Sequence, residues 1–386
     1  MRWLPRRLTN AICLFATIVL AGCGVGTGDG AEDPGVDVAA LRTGNYRTTP
    51  RTPEELRTPA NIDIQAALRL GEHVPLIMET VPKFVFNRVN NQKKMFTRLD
   101  PPKIIDNFST VAPGFVAGFE TVGQRREDEL QGRSVVLTVL QFSTSGHATG
   151  AAKALADGVW HSRYPPMGTL PIPGYPGAYG QARAYGAVSA AAARNEFVLW
   201  AYLGGGVDIP PNQGELAGLA CQVFDAQFDR LEDYEPTPEP EISESPVDRD
   251  GILSFALPTT DGVAEAVMSA STALHLLQRP DLTQRAFEDA RVDLVVQGET
   301  EIYRAGDEQA ADRVIAYFIT QLDPEYRIVD SPPGMPDAHC VEDPKTTGSL
   351  KCLFTVGRYA AIVAGTQLQD LHQKVSAQYT LLDLAP

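Results

Sequence analysis

Residues Glu232-Asp-Tyr-Glu-Pro-Thr-Pro-Glu-Pro-Glu-Ile-Ser-Glu-Ser-Pro-Val-Asp-Arg-Asp250 interrupt a globular sequence with four prolines, eight acids and no apolar periodicity. Such a composition buries too little apolar surface to hold a core, so 232–250 reads as an acidic, Pro-rich linker between domains. With the chain divided there, the two sides carry one plan. Before the linker come a helix starting near Asn61, strands Phe115–Val122 and Ser134–Phe142, and an Ala-rich helix Ala148–Trp160. An extended piece closes the stretch 164–186, followed by a strand Glu196–Leu203 and a helix Asn212–Leu231. After it come a helix Asp261–Leu277, strands Arg291–Gln297 and Glu299–Arg304, and a helix Asp307–Leu322. Extended segments Tyr326–Val329 and Leu350–Ala364 and a helix Gln367–Tyr379 complete the chain.

The expected fold class is therefore α+β, in two pseudo-repeated domains, each roughly β-β-α-β-β-α with a leading helix. Pro101, Phe108, Val116, Glu120, Thr121 and Arg125 align without gaps on Pro280, Phe287, Val295, Glu299, Thr300 and Arg304. The strand pairing can also be drawn in a second register, so the order of elements is the firmer part of this expectation. A length of 386 residues also favours two domains.

At the other end, Arg2, Arg6 and Arg7 precede an apolar run from Ala11 to Ala21 that closes in Leu20-Ala21-Gly22-Cys23. That is the charged, apolar and small-residue order of an export signal. The run is too short for a spanning helix, which needs about 18 or more apolar residues. Gly24 to about Ala60, rich in Gly, Asp, Thr, Arg and Pro, reads as a flexible tether with ends about 35 Å apart. The expected division is a signal peptide over 1–22, a tether over 23–60, domains over 61–231 and 251–386, and the linker between them.

A Leu-Ala-Gly-Cys ending resembles the bacterial lipobox. With Ala67-Leu-Arg-Leu-Gly-Glu-His-Val-Pro75, Phe115-Val-Ala-Gly-Phe119 and Thr300-Glu-Ile-Tyr-Arg304, the chain resembles actinobacterial envelope lipoproteins of unknown function. The resemblance implies acylation of Cys23, with palmitate-like chains as the membrane anchor at about 0.8 kcal/mol per buried CH₂. It also implies a place at the extracytoplasmic face of the cell membrane. It supplies no active-site residues.

Composition narrows the partners. The net charge is −15, and −18 without the first 22 residues, which carry three Arg and no acid. A surface that acidic repels phosphate backbones and anionic headgroups, so nucleic acid is excluded as a partner. Of five cysteines, Cys13 lies in the signal and Cys23 at its end. Cys340 and Cys352 flank a polar, turn-rich segment and, outside the cytoplasm, are expected to form a disulfide worth on the order of 3 kcal/mol. A metal site through His339, Cys340 and Cys352 lacks a fourth ligand. Cys221 reads as a buried small hydrophobe.

Motifs for chemistry are sparse. Ser143-Thr-Ser-Gly-His147 sets hydroxyls beside an imidazole but is not Gly-x-Ser-x-Gly, and strand-to-helix turns use Ser, Thr and Gly as caps. Asp248-Arg-Asp-Gly251 resembles the start of a calcium loop without its later ligands. The histidines, at 73, 147, 161, 275, 339 and 372, show no pair at metal-ligand spacing. His73 stands out because a Gly and a Pro bracket its turn. The stretch from Tyr164 to Tyr179 is stiffened by prolines, and Tyr164, Tyr175 and Tyr179 make it a candidate partner or ligand loop. The competing reading is a stiff cover over the sheet.

No metal or cofactor is expected. The function expected from sequence is a non-enzymatic envelope lipoprotein, anchored through Cys23, that binds a partner protein or an envelope ligand such as a lipid or glycan. The alternative is a cell-wall or lipid hydrolase whose site is dispersed in sequence.

Overall fold

Runs such as Val135-Val-Leu-Thr-Val-Leu140 offer no polar side to water, so they need cover on both faces. The computed structural model supplies it; it describes residues 35–87, 94–128, 131–157, 166–206, 211–260, 262–346 and 348–386. The signal, Cys23 and Tyr164 lie outside the described residues.

The strands β1 (Met95–Thr97), β2 (Phe115–Gln124), β3 (Ser134–Phe142), β4 (Pro166–Thr169), β5 (Tyr179–Arg183), β6 (Val188–Arg194) and β7 (Phe197–Gly204) form one antiparallel sheet. Its order is β1-β2-β3-β7-β6-β5-β4. A second sheet holds β8 (Ala266–Ser269), β9 (Leu294–Gln297), β10 (Thr300–Arg304), β11 (Arg327–Ile328), β12 (His339–Asp343), β13 (Ser349–Val356) and β14 (Tyr359–Gly365). Read from its other edge, the order is β8-β9-β10-β14-β13-β12-β11, the same topology as the first. In each, a 13-residue helix follows the third strand (Ser145–Asp157 and Glu308–Thr320), and a long helix follows the seventh (Gln213–Leu231 and Leu368–Leu382). The fold is α+β and duplicated. The expected β-β-α-β-β-α pattern is its centre, with the shorter β1, β4 and β5 and their counterparts added at the edges.

Both faces of each sheet are buried. Val135, Leu137 and Val139 of β3 point toward the Gln213–Leu231 helix, whereas Leu140 and Phe142 point toward Ser145–Asp157. The second sheet divides likewise, with Val296, Ile302 and Val363 on the Leu368–Leu382 side and Val295, Tyr303 and Ala360 on the Glu308–Thr320 side. Continuous apolar strands are the sequence trace of this three-layer build.

Hydrogen-bond register settles which residues correspond. Gln141 pairs with Phe197 next to the β6–β7 turn, and Arg304 pairs with Tyr359 next to the β13–β14 turn. Phe142 N donates to Glu196 O at 2.8 Å, and Ala305 N to Arg358 O at 2.9 Å. Gln141 thus matches Arg304. Through them Ala117 matches Leu294, so the ungapped alignment is two residues out of step there.

Three expectations are corrected. The helix expected over 261–277 begins as strand β8, because Ala266, Val267 and Met268 alternate between two buried faces. A short helix, Ala270–Ala273, follows, with the Ser269 side chain accepting from Thr272 N.

The tether expected to run to residue 60 is, from Val36 onward, a strap packed on the second sheet's layers. Asp37 N donates to Gly334 O at 2.8 Å, Tyr46 Oη donates to Asp370 at 2.6 Å, and Leu56 is 1% exposed in the second core. Buried Arg51 meets buried Glu265 at 2.6 Å. Its polar composition misled because only a few of its side chains, Val36, Leu41, Tyr46 and Leu56, are apolar and packed.

The linker is pinned as well. Tyr234 enters the first core, Ile242 packs on Ala66 and Val116, and Val247 enters the second core.

Residues 36–386 form one compact unit. The Pro59–Gly71 helix, capped by Thr58, packs on β1, β2 and β8 and so joins the inner edges of both sheets. Fully buried His275 crosses the same junction, with Nδ1 3.0 Å from Thr121 Oγ1 and Nε2 3.1 Å from Val74 O. Among the described residues, no helix is long and apolar enough to cross a membrane.

Candidate functional site

A cleft of about 580 Å³ opens where β3 ends, a volume in the range of small-molecule sites. Gln141, only 3% exposed near the end of a largely apolar strand, is one of its lining residues. The wall begins at Ser143, where the chain leaves β3; Ser143 N donates to Gly114 O at 2.8 Å, and Ser145 opens the next helix. Asn195 and Glu196 of the neighbouring β6–β7 turn also line it, with Asn195 at φ 53, which Asn tolerates. Pro236, Thr237 and Pro238 of the linker close it over.

The linker is held there by two groups. The Arg69 guanidinium bonds Thr237 Oγ1, and its Nη2 donates to Glu235 O at 3.2 Å. Tyr234 buries its ring between His73 and Phe197 and donates its hydroxyl to Gln141 Oε1 at 3.3 Å. Burial pushes that phenol up to about 12, so it stays protonated and remains a donor.

The cleft offers complementary polar groups. Gln141 uses Oε1 on Tyr234, and its side chain lines the cleft. At the start of the Ser145–Asp157 helix, Thr144 Oγ1 accepts from His147 N, but Ser145 and Gly146 N–H have no acceptor among the described residues. Glu196, whose backbone carbonyl accepts from Phe142 N, also lines the cleft.

At the corresponding place in the second half, Arg304 stands for Gln141. Its Nε donates to Asp293 Oδ1 at 2.8 Å, and its Nη2 reaches both Asp293 at 2.7 Å and Asp250 at 2.8 Å. The bond to Asp293 raises the guanidinium above its ordinary pKa. Arg358, in the place of Glu196, donates to Ala305 O at 2.9 Å. Where the first half has a cleft, the second has a closed charged clamp.

His147, on the first turn of the Ser145–Asp157 helix, contacts a lining residue of the cleft. Its Nδ1 lies 2.9 Å from Ser143 Oγ, the one hydroxyl–imidazole contact that the Ser143–His147 motif produces. A Cβ on Gly114, at φ +77, would overlap the His147 ring, so glycine there makes room for it. Both partners are solvent-exposed, and no carboxylate orients the ring among the described residues.

The other candidates lie apart from this site. Tyr175 donates to Asp225 at 2.7 Å and packs on Phe224 and Phe228, fastening the loop to the Gln213–Leu231 helix. Burial raises its phenol pKa. Tyr179 belongs to β5 and packs on the opposite face of the sheet, so the two rings form no common surface. The loop is a cover over the first core.

Cys340 and Cys352 are disulfide-bonded and directly opposite each other on β12 and β13. Asp248 accepts from Leu253 N and Ser254 N at 2.9 and 3.2 Å, so it caps a turn where a calcium ligand was considered. Among the described residues no group of three His, Cys, Asp or Glu side chains is placed to hold a metal. His73 and His275 line a smaller pocket of about 250 Å³ at the junction of the halves, with Glu72, Glu79 and Arg230.

Sequence reasoning missed Gln141, Glu196 and the Pro236–Pro238 roof. The available signal was a single amide among Val and Leu at a strand end.

Comparison with known proteins gives a family. Models of the N-terminal and C-terminal parts of a domain of unknown function, DUF7373, match residues 53–247 and 249–384. No curated protein matches. Among solved structures, the crystal structure of the extracellular domain of PknH from Mycobacterium tuberculosis is 12% identical, covering 47% of this chain and 100% of that one, at a TM-score of 0.26.

Proposed function

Because the chain belongs to the DUF7373 family, whose description names no activity, its own geometry has to carry the reading, and we propose that it is a non-enzymatic envelope lipoprotein binding a polar ligand in the cleft above Gln141. The observation that carries this is the contrast between the two halves. One duplicated position is an open cleft lined by a buried amide, and the other is filled by Arg304, Asp293 and Asp250. The Gln141 side chain, engaged through Oε1 by Tyr234, lies at the open position, whereas its counterpart Arg304 is spent on two carboxylates.

The lining also chooses between ligands. A lipid carrier needs an apolar cavity, whereas this cleft presents Gln141, Ser143, Asn195, Glu196 and Thr237. Acyl chains on Cys23 provide the anchor, at the extracytoplasmic face. The Cys340–Cys352 bond supports that side of the membrane, because such bonds persist in oxidising compartments.

The test is native mass spectrometry of the mature chain purified from an exporting host, beside Ser145→Trp, whose indole blocks the cleft. A retained mass that leaves on denaturation and is missing from the variant is the expected result. Equal masses on both chains place the ligand elsewhere.

The Ser143–His147 contact favours a second reading, an esterase-type hydrolase. That reading needs His147 in the tautomer that accepts at Nδ1, a proton assignment and not an observation. A fluorophosphonate adduct on Ser143 that is absent from His147→Gln would establish it; an unlabelled Ser143 removes it.

A further inference from the structure

We infer that the outer edge of the second sheet, at β11 and the turn around Gly334, is the surface that rests against lipid, which relies on the anchoring through Cys23 proposed above. The argument begins where the strap meets the fold. Asp37 N donates to Gly334 O at 2.8 Å, and a Cβ on Gly334, at φ +85, would overlap Asp37 O. The first residues of the strap therefore lie directly on the turn between β11 and β12. That turn is closed by Val329 N donating to Cys340 O at 3.0 Å and by Ser331 Oγ donating to Ala338 O at 2.7 Å. Cys23 stands thirteen residues before Val36. At roughly 3.6 Å per residue, a lipid-held Cys23 is at most about 47 Å from Val36. An anchor there brings the membrane to this edge.

The edge is apolar where it is exposed. Ile328 of β11, at 78%, is the most exposed large apolar side chain among the described residues, and Val38 of the strap is 57% exposed. Ala39, Pro333 and Pro336 are exposed as well. β11 is the last strand of its sheet, so no further strand of that sheet covers its outer side. Asp37, Asp330 and Asp337 are exposed around it, which removes attraction to anionic headgroups and leaves apolar contact as the source of binding. On a free protein a patch this small would hold nothing. A covalent anchor changes that, because the second contact becomes intramolecular. The first sheet exposes a comparable pair, Met167 of β4 at 73% and Tyr185 beyond β5 at 77%, but no anchored segment meets the fold there. Met167 is thus the internal control.

The acylated chain, carrying Cys221→Ser, would be reconstituted in phosphatidylcholine vesicles whose lipids bear a nitroxide near the headgroup. A nitrobenzoxadiazole probe would be attached at Ile328→Cys or, in a separate chain, at Met167→Cys. The expected result is quenching at least fivefold stronger at position 328 than at 167, reduced at least twofold by adding Val38→Asp. Equal quenching at the two positions, or stronger quenching at 167, overturns the inference. Flotation with the vesicles tests the anchor separately. Chains that float but quench equally leave the anchor standing and remove the docked edge; chains that do not float, or a Cys23→Ala form that floats as well, remove both.

Discussion

The Tyr234 hydroxyl donates to Gln141 Oε1 at 3.3 Å, tying the linker to the last residues of β3. This bond fixes the amide that faces the cleft. Tyr234→Phe keeps the ring between His73 and Phe197 and removes only the donor. We expect a loss of about 1 kcal/mol in urea unfolding. We also expect weaker ligand binding, because the amide is then free to rotate; unchanged affinity would show that its orientation does not matter.

Arg51 and Glu265 form an ion pair buried on both sides, with Asn61 bonding the same carboxylate at 3.4 Å. Arg51→Ala strands that carboxylate and should cost about 3–5 kcal/mol. Replacing both by Leu should recover most of it, because a well-packed apolar pair is often neutral relative to a buried ion pair. A chain starting at residue 61 should likewise unfold at lower denaturant than one starting at 36. Equal midpoints would return residues 36–60 to the status of a loose tether.

His275 is held neutral: burial lowers its pKa from 6.5 to about 3, with repulsion from Lys94 adding to the shift and the bond to Val74 O opposing it. In the unfolded chain the imidazole binds its proton near pH 6.5. The unfolded state therefore holds more protons between these values, and stability is full above pH 6.5 and falls as pH drops toward 3. The slope approaches about 1.4 kcal/mol per pH unit. Urea midpoints at pH 7.0 and 4.5 should differ more in the native chain than in His275→Gln, and parallel shifts in the two would place the acid sensitivity elsewhere.

Cys340 and Cys352 close a loop across β12 and β13 with a sequence separation of 12. In the chain-entropy model that is worth about 3 kcal/mol. Cys340→Ser with Cys352→Ser should lower the denaturant midpoint accordingly, and reduction of the native chain should add about 2 Da to its intact mass. An unchanged mass would mean that the thiols are free.

The duplication and the central hairpins were legible because β-branched, two-sided strands such as β3 and β13 announce themselves. Strands β4 and β12 were not, since short segments rich in Pro, Gly or charge look like turns, whereas β11 falls within the extended segment read at Tyr326–Val329. Residues 36–57 were hidden by composition: Leu56 and Arg51 are isolated in a polar stretch, and only the second core shows what they meet. The cleft was invisible because its parts come from β3, the β6–β7 turn and the linker, which are separated in sequence by scores of residues. Tyr175 attracted attention for its type, yet its ring is spent on Phe224 and Phe228.

Residues 234–250 run from the first core to the second. The strand of chain that roofs the cleft at Thr237 continues to Asp250, which grips Arg304 in the other half. Its ends are pinned in different cores, so any rocking of one sheet against the other is taken up by a cord already fastened at both ends. Between them it is fastened once more, where Arg69 holds Glu235 and Thr237 beside the cleft, so the cleft wall and the joint between the halves share one stretch of chain, much as a bowstring belongs to both tips of the bow.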